Sequence, residues 1–519
     1  MNKDNYSRTK ATSKNMLFGV AGKFATLILS FVLRTTFISF LGKELLGVNS
    51  LYTEILNMLS IAELGFGTAF AFAMYKPIAE SDNKKIIQLI NLFKRIYYIV
   101  ALVVFVIGML LVPFLDYIVK GADSLNSGDL KIYFIFFLLN TVINYLVQYK
   151  IMYVNAKMQS YVVTNIETII NFVLVSVQCL TLILFKNYLV YLIAHTLLLL
   201  LSRIIVAVYL NKKYPILKDT EAENLPMEDK KELFAEVKGL ALQNFSSVAI
   251  HSTDNLIISM VSGLGVIGVG LVSNYNLIIT SVTAFIVIMM TALTPGFGNL
   301  VASSTQKHFR ECFEEVNFYG FWIYGFCSIA FFVLVPPFIS LWLGSDYLID
   351  NGPFLLIVMN VFFQGQSLVY NNARNAKGNF NLDKWVSVFQ AIINLVISIV
   401  CAYLWGLLGV YIGTIVSRLF FVIARPIRTY KYLYGVSCVN YFRKLIIYSF
   451  ITFFAGLITY CIAFFALGKE VTIAKFAFEC LIVLVVPNAI FLLMFFRSRY
   501  IKSFIGRLKE VFKKNERNS

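Results

Sequence analysis

The chain is predicted to be an all-α polytopic membrane protein with about fourteen transmembrane helices. Two six-helix repeats would form two lobes around a central cavity, and two extra helices would follow at the C-terminal end. Three observations lead there: the composition, the spacing of the apolar runs, and a self-similarity at a shift of about 220 residues. Of 519 residues, 59% are hydrophobic, 16% aromatic and 14% charged, with a mean hydropathy of +0.75. A soluble domain of this size has no use for so much apolar surface. A net charge of +17 would suggest nucleic acid in a soluble protein. Here the basic residues sit between apolar runs, so anionic membrane lipids and membrane orientation account for them, and no nucleic acid is expected.

Taken in order, the spans are expected near 15–41, 45–75, 91–115, 130–153, 160–185, 188–210, 237–261, 265–294, 313–343, 351–373, 384–405, 407–430, 441–467 and 471–496. Each is long enough to cross a hydrocarbon core, for which about 20 residues at 1.5 Å rise suffice. The first is too long for a signal-peptide core and has no cleavage-site pattern, so it stays as a membrane helix. With the N-terminus inside, 35 of the 45 Lys and Arg fall on the cytoplasmic side, 6 on the outer side, and 4 (Lys23, Arg34, Arg203, Arg418) within spans. That asymmetry places both termini in the cytoplasm.

The chain divides into an N-lobe at 1–210, a cytoplasmic linker at 211–238, a C-lobe at 239–436, the extra spans at 437–496 and a tail at 497–519. The linker mixes Lys with Asp and Glu and holds Pro215 and Pro226. The tail is basic, with Ile501, Phe504, Ile505, Leu508, Val511 and Phe512 on one helical face, the pattern of an interfacial helix.

The lobes repeat. Leu46-Gly47-Val48 aligns with Ile267-Gly268-Val269 at an offset of 221, and Leu111-Val112-Pro113 with Leu334-Val335-Pro336 at 223. Asn155-Ala156-Lys157 aligns with Asn375-Ala376-Lys377 at 220, Ile169-Ile170-Asn171 with Ile392-Ile393-Asn394 at 223, and Ser202-Arg203 with Ser417-Arg418 at 215. Six spans per unit give the units one orientation, related by an axis along the membrane normal, with a substrate path between them.

The first span carries Lys23 and Arg34. Eleven residues make about three turns, so both cations leave one face about 16 Å apart along the axis. A membrane helix accepts such charges only against protein, water or an anionic ligand. Under the 221 shift Arg34 aligns with Asn255, beside Asp254, at matched depth in the other lobe.

Other chemistry is not indicated. There is no Walker A motif, and the seven cysteines form no CxxC pair, which argues against disulfide or metal roles. Gly263-Leu264-Gly265-Val266-Ile267-Gly268 satisfies GxGxxG, but it lies in a hairpin between two spans, where glycines serve a tight turn. His195 reads as a packed or hydrogen-bonded histidine rather than a metal ligand. No cofactor and no enzymatic activity are expected.

Three blocks stand out. The first runs from Arg34-Thr35-Thr36-Phe37-Ile38 through Leu46-Gly47-Val48-Asn49-Ser50-Leu51-Tyr52 and Glu63-Leu64-Gly65-Phe66-Gly67 to Tyr75-Lys76-Pro77. The second is Ser252-Thr253-Asp254-Asn255 with Ser273-Asn274-Tyr275 and Gly298-Asn299-Leu300; the third is Arg374-Asn375-Ala376-Lys377-Gly378 with Gly409 to Thr414. Together they resemble Gram-positive polysaccharide flippases of the multidrug/oligosaccharidyl-lipid/polysaccharide exporter superfamily, and the resemblance covers about residues 10–435. It implies transfer of an undecaprenyl-pyrophosphate-linked oligosaccharide repeat unit from the inner to the outer leaflet, for capsule or exopolysaccharide assembly, by alternating access of two lobes around a cationic cavity. The polysaccharide polymerase and other pathway proteins would be partners. The alternative within the superfamily is a cation-coupled exporter of small amphiphilic compounds, which an acidic cavity would favour.

The candidate substrate-binding residues are Arg34, Lys23, Asp254, Asn255, Glu63, Asn49 and Asn274, with Arg203 and Arg418 as secondary candidates. Arg34 can hold the diphosphate through its planar fork or pair with Asp254. Lys23 can contact ligand or snorkel to the inner interface. Glu63 could pair with Lys23. Nine residues separate it from Glu54, which puts the two glutamates on different sides of a helix, and the family block favours Glu63. Arg203 and Arg418 hold equivalent places in the cytoplasmic halves of their spans, as helix anchors or as ligand contacts. The asparagines suit sugar hydroxyls or interhelical hydrogen bonds. Cysteines introduced into the 211–238 linker are expected to react with impermeant thiol reagents only in inside-out vesicles; labelling in intact cells would reverse the orientation.

Overall fold

The computed structural model describes residues 3–60, 66–218, 225–261, 263, 265–291, 293, 297, 298, 300, 304–376, 384–468, 471–503, 505 and 506; for 3–17, 68, 232, 235, 236, 238–251, 291, 376, 384 and 467 it describes the backbone alone. Among these residues the chain is helical throughout, as expected of a multi-pass membrane protein. The helices are α1 (Lys3–Leu59), α2 (Phe66–Glu80), α3 (Asn83–Leu111), α4 (Ser127–Ala156), α5 (Ser160–Phe185), α6 (Tyr188–Lys213), α7 (Met227–Val261), α8 (Gly265–Thr291), α9 (Gln306–Leu343), α10 (Asn351–Ala376), α11 (Lys384–Tyr434), α12 (Val439–Leu467) and α13 (Ile473–Phe495).

Among the described residues, eleven helices are long and apolar enough to cross a membrane. The expected number near fourteen returns when α1 and α11 are divided at their kinks and the more polar α7 is added. The kinks are backbone events: Gly42 takes φ 79° inside α1, and Gly406 takes φ 56° inside α11. The second span is expected over 45–75; the described residues give helix to Leu59 and again from Phe66, and 61–65 lie outside them. The linker is expected over 211–238, but Met227 already opens α7, with Glu228 and Asp229 in its first turn, where carboxylates meet the positive end of the helix dipole.

The chain forms two compact units, one of 1–273 with 398–410 and the other of 274–397 with 411–519. In the first unit α1 packs on α5 and α7, α3 on α4, and α6 on α4 and α5. Buried Tyr52 donates to the Leu130 carbonyl at 3.0 Å and meets Phe134 edge-on at 5.2 Å. The start of α8 crosses α1 at two glycines. A Cβ on Gly47 would lie 1.8 Å from the Val266 carbonyl oxygen, and one on Gly270 would lie 3.1 Å from the Gly47 nitrogen. The GxGxxG hairpin is a packing device: Gly265 has φ +58°, a Cβ there would strike the Lys120 carbonyl at 2.1 Å, and the Val266 amide donates to that same carbonyl at 2.7 Å.

In the second unit α9 packs on α10, α12 and α13. Phe321 stacks on Tyr448 of α12 at 4.1 Å and meets Phe491 of α13 at 5.2 Å, while Trp322 donates to Asn488 at 2.8 Å. The helices outside the sequence repeat are thus held by α9. Glu314 takes Lys444 at 3.0 Å and Arg499 at 2.5 Å, which ties the first residues of the tail to α9. The rest of the amphipathic tail pattern, Phe504 and residues from 507 on, lies outside the described residues.

The Gly47 crossing yields a stability prediction. Gly47→Val must push the α1 and α8 backbones apart, and overpacking costs about 1–3 kcal/mol or more. It is expected to lower the melting temperature in detergent by several degrees, while Gly128→Val, where a Cβ meets nothing within 4 Å, changes it far less. Equal melting temperatures would refute the close crossing.

Candidate functional site

The first unit has a partly open cavity of about 620 Å³ between α1, α4, α5 and α6. Both halves of α1 contribute, with Thr26, Ser30 and Leu33 before the Gly42 kink and Asn49, Thr53 and Asn57 after it. α4 presents Asn140, Asn144 and Gln148, spaced i, i+4, i+8, so one helical stripe is a ladder of carboxamides. Asn171 and Gln178 face in from α5, and Tyr191, His195 and Arg203 from α6. None of the described lining residues is Asp or Glu.

These side chains are held in place by one another. At one end Asn49 accepts from the Tyr188 hydroxyl at 3.2 Å, and Tyr188 packs edge-on against Phe37 at 5.6 Å and Tyr133 at 4.7 Å. Midway, Gln178 Nε2 lies 3.0 Å from His195 Nδ1, so the amide donates, the ring accepts, and the imidazole proton sits on Nε2. His195 is therefore a hydrogen-bonded histidine. At the other end Arg203 Nε donates to Asn144 Oδ1 at 2.8 Å, and both its terminal nitrogens engage Glu167. Asn140 Oδ1 is buried with no hydrogen-bond partner among the described residues, an acceptor that faces the cavity chemistry unfilled.

The second unit repeats one of these arrangements. Arg418 Nε donates to Asn360 Oδ1 at 2.8 Å, with 58 residues between donor and acceptor against 59 for Arg203 and Asn144. A second match is Tyr275, which meets Phe354 at 4.8 Å as Tyr52 meets Phe134. The Glu167 position differs: the offset of 223 that aligns Ile169 with Ile392 puts Gln390 there. The carboxylate that clamps the first arginine has a neutral counterpart in the second unit.

The sequence-derived residues distribute unevenly around this site. Asn49 and Arg203 line the cavity. Arg34 lies one residue beyond lining Leu33, and its Nη1 donates to Ser273 Oγ at 2.8 Å, which donates in turn to the Gly270 carbonyl at 2.7 Å. Lys23 is exposed on α1, while Asp254 and Asn255 are buried on α7. Glu54, the glutamate not favoured by the family block, accepts from Ser252 of α7 at 2.9 Å. Glu63 lies outside the described residues, and Asn274 and Arg418 belong to the second unit. Sequence reasoning misses Asn140, Asn144, Gln148, Asn171 and Gln178. The i, i+4, i+8 amides in an otherwise apolar span are the legible signal for the first three.

No family model matches the chain, and neither does any curated protein. Solved structures do. A structure titled as the lipid II flippase MurJ in an inward closed conformation matches 92% of this chain and 99% of its own, with TM-score 0.64 and 14% identity. An inward-facing multidrug resistance MATE family transporter of the MOP superfamily matches 80% of this chain and 96% of its own, with TM-score 0.62 and 15% identity. A mutant of the Vibrio cholerae MATE transporter VcmN matches 83% and 99%, with TM-score 0.59 and 13% identity. At these identities the likeness is one of fold: the chain folds as the MOP superfamily transporters do.

The Arg203 clamp makes a test of the site's architecture. Arg203 and Glu167 are half-buried, and removing one leaves the other uncompensated, at a cost below the roughly 3–5 kcal/mol of a fully buried pair. Arg203→Ala and Glu167→Ala are each expected to lower stability in detergent, with the double variant losing less than the sum. Additivity within about 0.5 kcal/mol would show that the two do not interact.

Proposed function

We propose that this protein is a flippase that carries a lipid-linked oligosaccharide repeat unit, joined to undecaprenyl through a diphosphate, from the inner to the outer leaflet of a bacterial cytoplasmic membrane for capsule or exopolysaccharide assembly. The observation that supports this most is the carboxamide lining of the cavity without a lining carboxylate. Carboxamides both donate and accept, and so match sugar hydroxyls, which do the same; a neutral polar wall gives no preference to cations. Tyr145 and Tyr191 add aromatic surface on which the apolar face of a pyranose can pack. An exporter coupled to cations through this cavity would want a carboxylate on its wall.

In this reading the glycan enters the first unit's cavity, while Arg34 meets the diphosphate through its planar donor fork. Lys23, Asp254, Asn255, Glu63, Asn274 and Arg418 belong to the path as further contacts or as helix anchors. Alternating access is by rocking of the two repeats, with both termini in the cytoplasm and a polymerase taking the product on the outer side. One structural neighbour is a flippase by name, which adds support to the reading.

Export of polymer in cells tests the proposal. Asn140→Leu and Gln148→Leu keep side-chain size but remove the hydrogen bonds, and each is expected to reduce export about tenfold or more at normal membrane levels, the loss expected where a site built for hydroxyls is left unpaired. Arg34→Ala is expected to abolish export and Arg34→Lys to restore some of it. Wild-type export by both cavity variants would remove the glycan reading; loss of resistance to small amphiphiles, with export intact, would favour the exporter.

A further inference from the structure

We infer that the ends of α3, α4 and α6 on the Lys/Arg-rich face of the membrane form a binding site for the phosphate of an anionic lipid headgroup. This inference does not rest on the glycan cavity, and uses a separate set of residues.

Lys150, on the last two turns of α4, is the centre. Its side chain is buried, and its ammonium donates to Asn211 Oδ1 of α6 at 2.9 Å. The same ammonium lies 5.6 Å from the Tyr149 ring, which meets Tyr98 of α3 edge-on at 6.4 Å; Lys94 lies 5.9 Å from that Tyr98 ring. About two turns on, Lys157 sits over Tyr153 and Tyr214, at 5.6 and 5.5 Å, and Lys213 lies 6.0 Å from Tyr214. Four ammonium groups on three helices and the turn after them thus share four tyrosine rings. No carboxylate lies within ion-pair distance of any of the four among the described residues.

The depth is that of headgroups. Counting from the far end, Lys150 is 23 residues into α4 and Lys213 is 25 residues beyond the start of α6. At 1.5 Å per residue both have crossed the roughly 30 Å hydrocarbon core. The site is therefore where lipid phosphates lie, on the side that holds 35 of the 45 basic residues.

Two ordinary explanations fall short. The C-terminal ends of α4 and α6 favour cations through their dipoles, but Lys94 is 11 residues into α3, out of reach of either end's dipole. Snorkelling accounts for exposed ammonium groups, but Lys150 is held inward by Asn211. The tyrosines supply neutral ring faces rather than counter-charge: burial pushes the Tyr214 phenol up to about 12, and its hydroxyl donates to Gln159 at 2.5 Å. Gathered cations whose partners among the described residues are all neutral call for an anion, and at this depth the abundant anion is a lipid phosphate.

The full chain in nanodiscs tests this by native mass spectrometry of retained lipid and by melting temperature. In phosphatidylcholine nanodiscs doped with phosphatidylglycerol, the wild type is expected to retain phosphatidylglycerol selectively. Each of Lys94→Gln, Lys150→Gln and Lys157→Gln should weaken retention about fivefold, and the triple variant more, while Lys475→Gln on the opposite face retains it fully. Because Lys150→Gln could disturb packing, Lys157→Gln alone must show the loss with an unchanged melting temperature in pure phosphatidylcholine. Farnesyl diphosphate is the second probe: displacement of phosphatidylglycerol by it at lower concentration assigns the site to diphosphate-bearing lipids, and no displacement assigns it to bulk phospholipid. Retention by the triple variant equal to that of Lys475→Gln would overturn the inference, as would inorganic phosphate displacing the lipid as well as farnesyl diphosphate does.

Discussion

An arginine inside a membrane-spanning helix must find its partners on neighbouring helices, because hydrocarbon offers none. Arg203 meets that requirement by gripping Asn144 on α4 and Glu167 on α5 at once. Three helices are thereby locked at one depth, and the cavity is the space that this lock holds open on one side. Its wall can be polar because its members are largely satisfied by each other. The cation is not displayed bare to a ligand; it is neutralised at the end of a neutral, hydrogen-bonding chamber.

The two units solve the same problem unequally. Arg418 and Asn360 repeat the donor and acceptor of the first unit at nearly the same spacing, but Gln390 stands where the alignment calls for a carboxylate. A duplicated fold thus carries one lobe whose arginine is clamped by charge and another whose corresponding position is neutral. Divergence of this sort lets each repeat keep its packing while differing in what it attracts, and it shows why symmetry of backbone does not entail symmetry of chemistry in an internally repeated fold.

Much of this is readable from the residues, for physical reasons. Helical class and span positions follow from the length and apolarity that a bilayer demands, and the repeat is visible because tight places such as Leu111-Val112-Pro113 constrain sequence locally. The equivalence of Arg203 and Arg418 is legible, and the structure gives both an asparagine partner. What is not legible is tertiary. Nothing in the sequence places Asn140, Asn171 and Gln178 around one space, since that requires knowing which faces of α4 and α5 meet. Charges stand out in an apolar chain, whereas amides do not. The repeat alignment sets Arg34 against Asp254; its hydrogen bond to Ser273 needs the close glycine crossing of α1 and α8, and no pattern in the sequence reports a crossing.

The break in α1 at Gly42 has a mechanical meaning. The cavity wall draws on this helix both before the break, at Thr26 to Leu33, and after it, at Asn49 to Ser60. A single bend therefore sits between two panels of the same chamber. Beside it, Glu44 is held by Ser124 from the loop after α3. That hydrogen bond joins the loop to the turn of helix beside the break, so the two panels of the chamber meet at a point fixed from outside the helix itself.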